Sequence, residues 1–386
     1  MSPDHAFPRG ATAIAGAATF GVGECPGFTA LEMTAKAGLM ALADAGLELT
    51  DVDALFTALP EDILGGLALA EHLGVNARFV DNNRTGGSSF LNHLMTAAFL
   101  IDARYIRTAL ITYGSNQRSA SGKLVSALRP SVHEAPHKPM MPITGYGLSA
   151  ARHMHLYGTT RDDLGAVALA ARGWAALNPE AFRRDPLTLE QYHAARIVSS
   201  PLGVLDCCLV TDGAAAVVLT ATDRARDLAH PPVAVLGAGT MTTHKEIAQM
   251  PDLTVTGAVQ SGARAYAAAG YGPADMDMVQ LYDAFTINTI LFLEDLGFCP
   301  KGEGGRFVQG GAIAPGGRLA VNTNGGGLSC VHPGMYGLFT LVEATRQIRG
   351  QAGARQLAKA DLAMCHANGG VLSSQTSVIL GALETL

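Results

Sequence analysis

The sequence has few cysteines, few charges and no long apolar run. Its 6 cysteines among 386 residues are scattered and form no CxxC pair, so neither a disulfide scaffold nor a structural zinc site is favoured. A net charge of −6 argues against nucleic acid or an anionic membrane as partner. The first residues lack the apolar core of a signal peptide, and apolar runs such as residues 63–70 are too short to span a bilayer. We therefore predict a cytoplasmic protein that binds neither membrane nor nucleic acid.

Glycine, by contrast, is abundant. The chain has 45 glycines, and several stand in clusters beside short runs of β-forming residues. Such clusters are typical of tight turns and of backbone that approaches a ligand closely. The clusters are Gly86–Gly87, Gly310–Gly311, Gly325–Gly327 and Gly369–Gly370.

The order of predicted elements is repeated along the chain. Residues 1–229 and 230–386 each read as strand, helix, strand, glycine turn, central helix and strand. This pattern predicts an α/β fold with two pseudo-repeated αβαβα halves. We expect the active site where the glycine turns at 86–87 and 325–327 meet.

An insert at about residues 115–200 interrupts the first half. Its beginning is polar, rich in proline and without periodicity, which is typical of a lid or a binding loop. Helices are predicted in the later part of the insert, at residues 150–157 and 161–178.

Two histidines are the strongest candidates for chemistry. His332 follows a glycine-rich turn, and His366 ends a predicted strand just before Asn368 and another glycine pair. Histidines at such exposed backbone positions can supply a base and an oxyanion donor. The alternative for each is a structural histidine that is hydrogen-bonded to the turn itself.

Tyr282 and Ser88 are the next candidates. Tyr282 ends a predicted strand, where its hydroxyl would either donate to a developing oxyanion or pack in the core. Ser88 stands at the start of a predicted helix, where the helix dipole favours a nucleophile or an anion. An ordinary serine N-cap is the simpler interpretation of Ser88.

Two other patterns are not interpreted as sites. His133–His137 spells HExxH, but Pro130, Pro136 and Pro139 disfavour the helix that zinc binding requires, so we predict no metal. The pair Cys207–Cys208 lies in an apolar, strand-like run and is assigned to the core.

Three sequence blocks resemble the thiolase superfamily. NTNGGGLSCVHPGMYG (residues 322–337) resembles the thiolase signature with its Gly-His-Pro histidine, YDAF (282–285) resembles the block that opens with Asn-Glu or His-Asp, and CHANGG (365–370) resembles the C-terminal glycine block. The likeness covers nearly the whole chain and is strongest to the lipid-transfer-protein-like branch, which includes the sterol-carrier-protein thiolases. It implies the thiolase fold, a homodimer, and an acyl-CoA substrate that brings coenzyme A with no other bound cofactor.

The resemblance also assigns roles to residues. His332 matches the histidine that activates the family's thiol, His366 matches a second cysteine or histidine, and Tyr282 replaces the Asn or His of its block. The candidate substrate-binding residues lie in the same glycine-rich blocks, namely Gly87, Gly327 and Asn368.

The family's nucleophilic cysteine is missing. It should fall at Ser88, or at Gly87 or Ser89 if the register shifts, and none of these is cysteine. A serine in a site adapted to a thiol lacks the strong base it needs, whereas a base and an oxyanion site suffice for retro-aldol cleavage of a β-hydroxyacyl-CoA. In this the chain resembles the aldolases that shorten steroid side chains, and these work with a small OB-fold, zinc-ribbon partner.

Two alternatives remain open at this level. One is an acyltransferase that uses Ser88 or a displaced cysteine such as Cys330 as nucleophile. The other is a non-catalytic subunit that binds acyl-CoA or lipid, which the presence of both His332 and His366 disfavours.

Overall fold

The protein is described by a computed structural model that covers residues 7–59, 62–121, 125 and 130–386. Its regular elements, in chain order, are the strands β1 (Thr12–Gly23), β2 (Ala54–Phe56), β3 (Phe79–Asp81), β4 (Thr108–Ser115), β5 (Ile197–Ser199), β6 (Leu202–Gly203), β7 (Asp212–Ala221), β8 (Val233–Thr242), β9 (Met278–Leu281), β10 (Ala320–Val321), β11 (Leu362–Gly369) and β12 (Ser374–Gly381). The helices are α1 (Ala30–Ala45), α2 (Gly65–Leu73), α3 (Ser89–Asp102), α4 (Ile143–Tyr157), α5 (Arg161–Ala176), α6 (Leu189–Ala194), α7 (Thr222–Ala225), α8 (Ala258–Ala269), α9 (Thr286–Asp295), α10 (Gly304–Val308) and α11 (Gly337–Ile348).

Ten strands form one mixed sheet in the order β10-β9-β11-β12-β8-β1-β7-β4-β2-β3. The first five strands of the sheet in sequence and the last five have the same order and the same directions: two parallel pairings followed by two antiparallel ones. The two sets join where β1 pairs with β8. The predicted α/β fold with two repeated halves is confirmed, and the domain boundary at residue 229 stays a prediction.

Helix α1 illustrates how local sequence fixes an element. Thr29 and Glu32 form a capping box at its start, and Gly46 ends it with φ of +70°. These are the residue types that satisfy the free backbone groups of a helix terminus. Local sequence therefore accounts for both ends of this helix.

The two central helices, α3 and α11, are the elements that begin at the site. The apolar face of α3 is buried, and in α11 nearly every residue is buried. Both helices start at glycine-containing turns. The backbone of Gly337 lies so close to the carbonyl oxygen of Gly87 that no side chain would fit between them. The N-termini of α3 and α11 therefore meet.

Several sequence predictions are corrected by the structure. Helix α4 begins at Ile143, seven residues before the predicted start, because Gly145 and Gly147 serve close packing against Val371 and the 199–200 backbone and do not break the helix. Cys207 and Cys208 are partly buried and pack against the core, and the strand-like run is reduced to one β-bridge between Cys207 and Phe285 after a 3₁₀ turn. Parts of the predicted lid, residues 122–124 and 126–129, lie outside the described residues.

None of the helices formed by the described residues has the length and apolar character needed to cross a bilayer.

Helix α11 carries a buried ion pair. Glu343, 1% exposed at its side chain, receives two hydrogen bonds from Arg355, each 2.9 Å long. Thr323 donates a further bond of 2.7 Å to the same carboxylate. Replacing one partner leaves the other as an unpaired buried charge, whereas removing both does not.

We predict that Arg355→Ala lowers the free energy of unfolding by about 3–5 kcal/mol. Thermal unfolding of the single variants and of Arg355→Leu/Glu343→Leu measures this, and the double variant should lose less than the sum of the singles. The exposed pair Arg306–Glu303 is the matched control, since breaking it should change the melting temperature little. Additive losses at Arg355 and Glu343 would contradict the prediction.

Candidate active site

The structure brings Tyr282 and His332 together. Tyr282 directly follows β9, and His332 follows the π-helical turn Gly326–Cys330. The Tyr282 hydroxyl lies 3.0 Å from His332 Nε2, and the two rings meet edge to face with centroids 5.6 Å apart. Both side chains are buried, which excludes water from the pair and strengthens their interaction.

His332 is held by its backbone and is uncharged. Its N–H donates to Thr211 Oγ1 at 2.9 Å, and its carbonyl accepts from Gln117 Nε2 at 2.8 Å. Burial lowers the pKa of His332 to about 4, and a hydrogen bond from the ring to the histidine's own backbone opposes this shift. The neutral ring that donates this bond from Nδ1 has Nε2 free as an acceptor.

Tyr282 is then the donor of the pair. Burial raises the pKa of the Tyr282 hydroxyl well above 10, so the phenol keeps its proton at neutral pH. Its second acceptor, the carbonyl oxygen of Gly334, is farther away at 3.4 Å. The site thus combines an unprotonated imidazole nitrogen with a protonated hydroxyl.

Asp283 is hydrogen-bonded to the turn that precedes His332. Its carboxylate accepts hydrogen bonds from the N–H groups of Gly327, at 2.6 Å, and Leu328, at 3.4 Å. Burial raises the pKa of Asp283 to about 7, and these backbone bonds oppose the shift. The residue fixes the turn that leads to His332, and no feature of the YDAF block singles it out in the sequence.

His366 is engaged by its neighbours at both ring nitrogens. Nδ1 lies 2.9 Å from Ser377 Oγ, and Nε2 lies 2.9 Å from Gln375 Oε1, which can only accept. Burial lowers the pKa of His366 to about 3. The arrangement matches the structural alternative for this residue, since no ring nitrogen is left for a substrate, and it does not favour the predicted role as a base.

His366 nevertheless contacts the site through its backbone and its neighbours. Its carbonyl accepts from the N–H of Tyr282 at 2.9 Å. Gln375 Nε2 donates a hydrogen bond to Asn368 Oδ1 at 2.9 Å. Asn368 in turn donates to the hydroxyl of Tyr146 at 2.8 Å. Asn368, predicted to bind substrate, is thereby fixed within this network.

Tyr146 is a site neighbour that the sequence analysis missed. It lies on α4 in the insert, donates to the carbonyl of Gly370 at 3.0 Å and packs on Phe285 with ring centroids 4.4 Å apart. Burial raises its pKa to about 12. A tyrosine between Gly145 and Gly147 in an otherwise polar insert was the available signal.

The glycine turns meet differently from the prediction. Gly86 lies directly against Gly369 and Gly370, so the first turn meets the C-terminal glycine block. Gly326 and Gly327 pack on Asp283 and reach the site through it and through the His332 ring. The site therefore lies between three glycine turns, with Tyr282 and Asp283 in the middle.

The three positions considered for the missing cysteine are now distinguishable. Ser89 Oγ accepts from the N–H of Thr85 at 2.8 Å, and Ser88 Oγ lies 3.0 Å from both Thr85 Oγ1 and Ser374 Oγ. Both serines therefore have local hydroxyl or backbone partners, and none of their hydrogen-bond partners among the described residues is a base. A side chain at Gly87 would point at the Tyr282 ring.

Cys330 is no better placed as a nucleophile. Asn178 Nδ2 lies 3.4 Å from its sulfur, and the thiol lines a small pocket beside Glu180 and Arg346. Burial and the carboxylates of Glu180 and Glu343 raise the pKa of this thiol, which disfavours the reactive thiolate.

The HExxH segment does not form a metal-binding helix, because Ala135–His137 is a single 3₁₀ turn. Across the described ranges, no group of three or more His, Cys, Asp or Glu side chains is arranged to hold a metal ion.

Comparison with known proteins identifies the family. Residues 239–382 match the family described as thiolase C-terminal domain-like. A 17-hydroxy-3-oxo-4-pregnene-20-carboxyl-CoA lyase from Mycobacterium tuberculosis is 35% identical over 364 residues, covering 88% of this chain and 92% of the relative. The chain belongs to the thiolase superfamily, as its sequence blocks predicted.

Two further proteins show which kinds of enzyme in that superfamily are similar to this chain. The solved structure of the Ltp2-ChsH2(DUF35) aldolase is 32% identical with a TM-score of 0.88, and the match covers 97% of this chain and 98% of the other. An acetyl-CoA acetyltransferase from Methanothermobacter thermautotrophicus is 33% identical over 355 residues, covering 88% of this chain and 91% of the relative. Both C–C lyases and acyltransferases are thus among its enzyme relatives.

We predict that Asp283 makes stability depend on pH between about 4 and 7. Its folded pKa of about 7 exceeds the ordinary value of 3.8, so the protonated group stabilises the fold at low pH and this contribution is lost as pH rises through 7. The melting temperature of wild type minus that of Asp283→Asn should therefore decrease from pH 4 to pH 7. A difference that stays constant over this range would contradict the assignment.

Proposed function

We propose that this protein is an acyl-CoA C–C lyase that cleaves a β-hydroxyacyl-CoA by a retro-aldol reaction. The observation that carries the proposal is the buried hydrogen bond between Tyr282 and His332. The backbone position that faces the Tyr282 ring is Gly87, which has no side chain. The site offers an acceptor and a donor of protons, and no side chain within the described part of the site is an activated nucleophile. A retro-aldol reaction needs the first two and does without the third.

The roles follow from the protonation states. Neutral His332 Nε2 accepts the proton of the substrate's β-hydroxyl, and the bond between Cα and Cβ breaks to give a carbonyl product and a thioester enolate. The Tyr282 O–H donates to the developing negative charge on the thioester oxygen, where a positioned donor in a dry site is most effective. The proton held by His332 then returns to Cα, which releases the shortened acyl-CoA and restores the site.

The relatives support this chemistry and suggest the assembly. The lyase relative is named for a steroid-derived CoA thioester, so we propose a bulky apolar acyl group, with coenzyme A entering only as part of the substrate. The similar aldolase structure is named as an assembly with a DUF35 protein, and we propose a partner of that kind, of OB-fold and zinc-ribbon build. A homodimer in the cytoplasm completes the proposal.

An acyltransferase is the second candidate, because one relative carries that name. It would need Ser88 or Cys330 as nucleophile, and the first has only hydroxyl partners while the second has a raised thiol pKa. A non-catalytic acyl-CoA-binding subunit is the third, and the donor–acceptor pair at Tyr282 and His332 has no evident purpose in it.

Intact-mass analysis separates the first two candidates. The purified protein, with any co-purifying partner, is incubated with β-ketoacyl-CoA and β-hydroxyacyl-CoA thioesters and quenched in acid. The proposed lyase shows no mass increase while product accumulates. An acyl adduct mapped to the peptide with Ser88 or Cys330 would overturn the proposal in favour of acyl transfer.

We predict that His332→Ala lowers turnover about 100- to 1000-fold, as expected for loss of one group that acts only in the transition state. Tyr282→Phe, which removes the hydroxyl and keeps the ring, should lower kcat to a similar extent with a smaller change in KM. Ser88→Ala is the control, and its turnover should stay within a few-fold of wild type. Unchanged turnover in His332→Ala would remove this histidine from the mechanism.

A further inference from the structure

Gly87 is in unusually close contact with the Tyr282 ring. A Cβ placed on Gly87 would lie 1.9 Å from Cε2 and 2.5 Å from Cδ2 of Tyr282. Real Cβ atoms never approach carbon so closely, and the ring is no flexible tip that could turn aside. It is buried, in edge-to-face contact with His332 and Tyr336, and its hydroxyl is hydrogen-bonded.

One backbone neighbour also opposes a side chain here. The carbonyl oxygen of Asn368 would lie 2.8 Å from a Cβ on Gly87, which is again closer than a real Cβ approaches. Gly87 does not need glycine for its backbone conformation, since it is absent from the residues with positive φ, unlike Gly86 at +98°. The Tyr282 ring makes the two closest of these contacts, so it is the larger of the two steric obstacles to a side chain at residue 87.

Residue 87 is also the position from which a side chain would reach the reacting groups. Ser88 and Ser89 point to Thr85 and Ser374, and a side chain on Gly86 would point to the Gly369–Gly370 backbone. Only the vector from Gly87 leads to the ring whose hydroxyl contacts His332.

We propose that Tyr282 and Gly87 form a steric pair that determines the type of chemistry at the site. The ring of Tyr282 occupies the space that any nucleophilic side chain at residue 87 would need, while its hydroxyl serves as the proton donor. One residue thereby installs acid–base chemistry and excludes covalent catalysis. The catalytic meaning of this pair rests on the proposed lyase function, but the steric exclusion does not.

The test is a series of double-mutant cycles read by thermal unfolding. Gly87→Ala is made in wild type, in Tyr282→Phe and in Tyr282→Ala. The added methyl group should lower the melting temperature by roughly 2–4 °C where a ring is present, in wild type and in Tyr282→Phe alike. It should cost less than half as much in Tyr282→Ala, because the space is then free and only the Asn368 carbonyl, common to all backgrounds, still opposes it.

Gly86→Ala is the matched control in the same three backgrounds. Its cost arises from positive φ and from the Gly369 backbone, so it should be the same with and without the ring. If Gly87→Ala fails to fold in wild type, folding of Gly87→Ala/Tyr282→Ala gives the same answer as a rescue.

An equal loss from Gly87→Ala in all three backgrounds would overturn the steric pair. Because the cycles measure stability alone, that result leaves the lyase proposal standing. Absence of cleavage by the wild-type enzyme, conversely, would refute the lyase and leave the steric pair intact.

Discussion

The hydrogen bond between Tyr282 and His332 is the interaction on which the account of this site depends. It links residues that are 50 positions apart in sequence, and burial determines what each can do. Removal from water keeps the imidazole neutral and the phenol protonated, so desolvation assigns one residue as acceptor and the other as donor.

The fold holds this pair by backbone more than by side chains. The Thr211 hydroxyl and the Gln117 amide fix the main chain of His332, the carbonyl of His366 fixes that of Tyr282, and Asp283 fixes the turn between them. Three glycine turns bring these segments within contact distance, which larger residues would prevent. Backbone positioning of this kind keeps a donor and an acceptor side by side in the site.

The sequence alone revealed the α/β repeat, the glycine turns and both members of the central pair. It failed where polar residues serve inside the protein. Strand β12 begins Ser374-Gln375-Thr376-Ser377, which resembles a loop, yet these side chains are buried partners of Ser88, of the Asn368 network and of His366. Hydrophobic periodicity cannot detect such a strand. The same reason hides the state of His366, since only the contacts of its ring reveal that both nitrogens are engaged.

The missing cysteine could likewise be noticed in the sequence but not explained by it. Counting residues favoured Ser88 and left Gly87 and Ser89 open, because a shift of one position along a turn changes where a side chain points without changing its motif. The directions of the three side chains remove that ambiguity, and they place the Tyr282 ring over the one position that faces the site.

The proposed reaction breaks a C–C bond without a covalent acyl-enzyme. Product formation from a β-hydroxyacyl-CoA tests this, measured with the protein and any co-purifying partner in the presence and in the absence of free coenzyme A. A retro-aldol lyase gives a carbonyl product and a shortened acyl-CoA at the same rate in both, because no thiol is consumed. Cleavage that requires free coenzyme A, or that occurs only with β-ketoacyl-CoA, would contradict it.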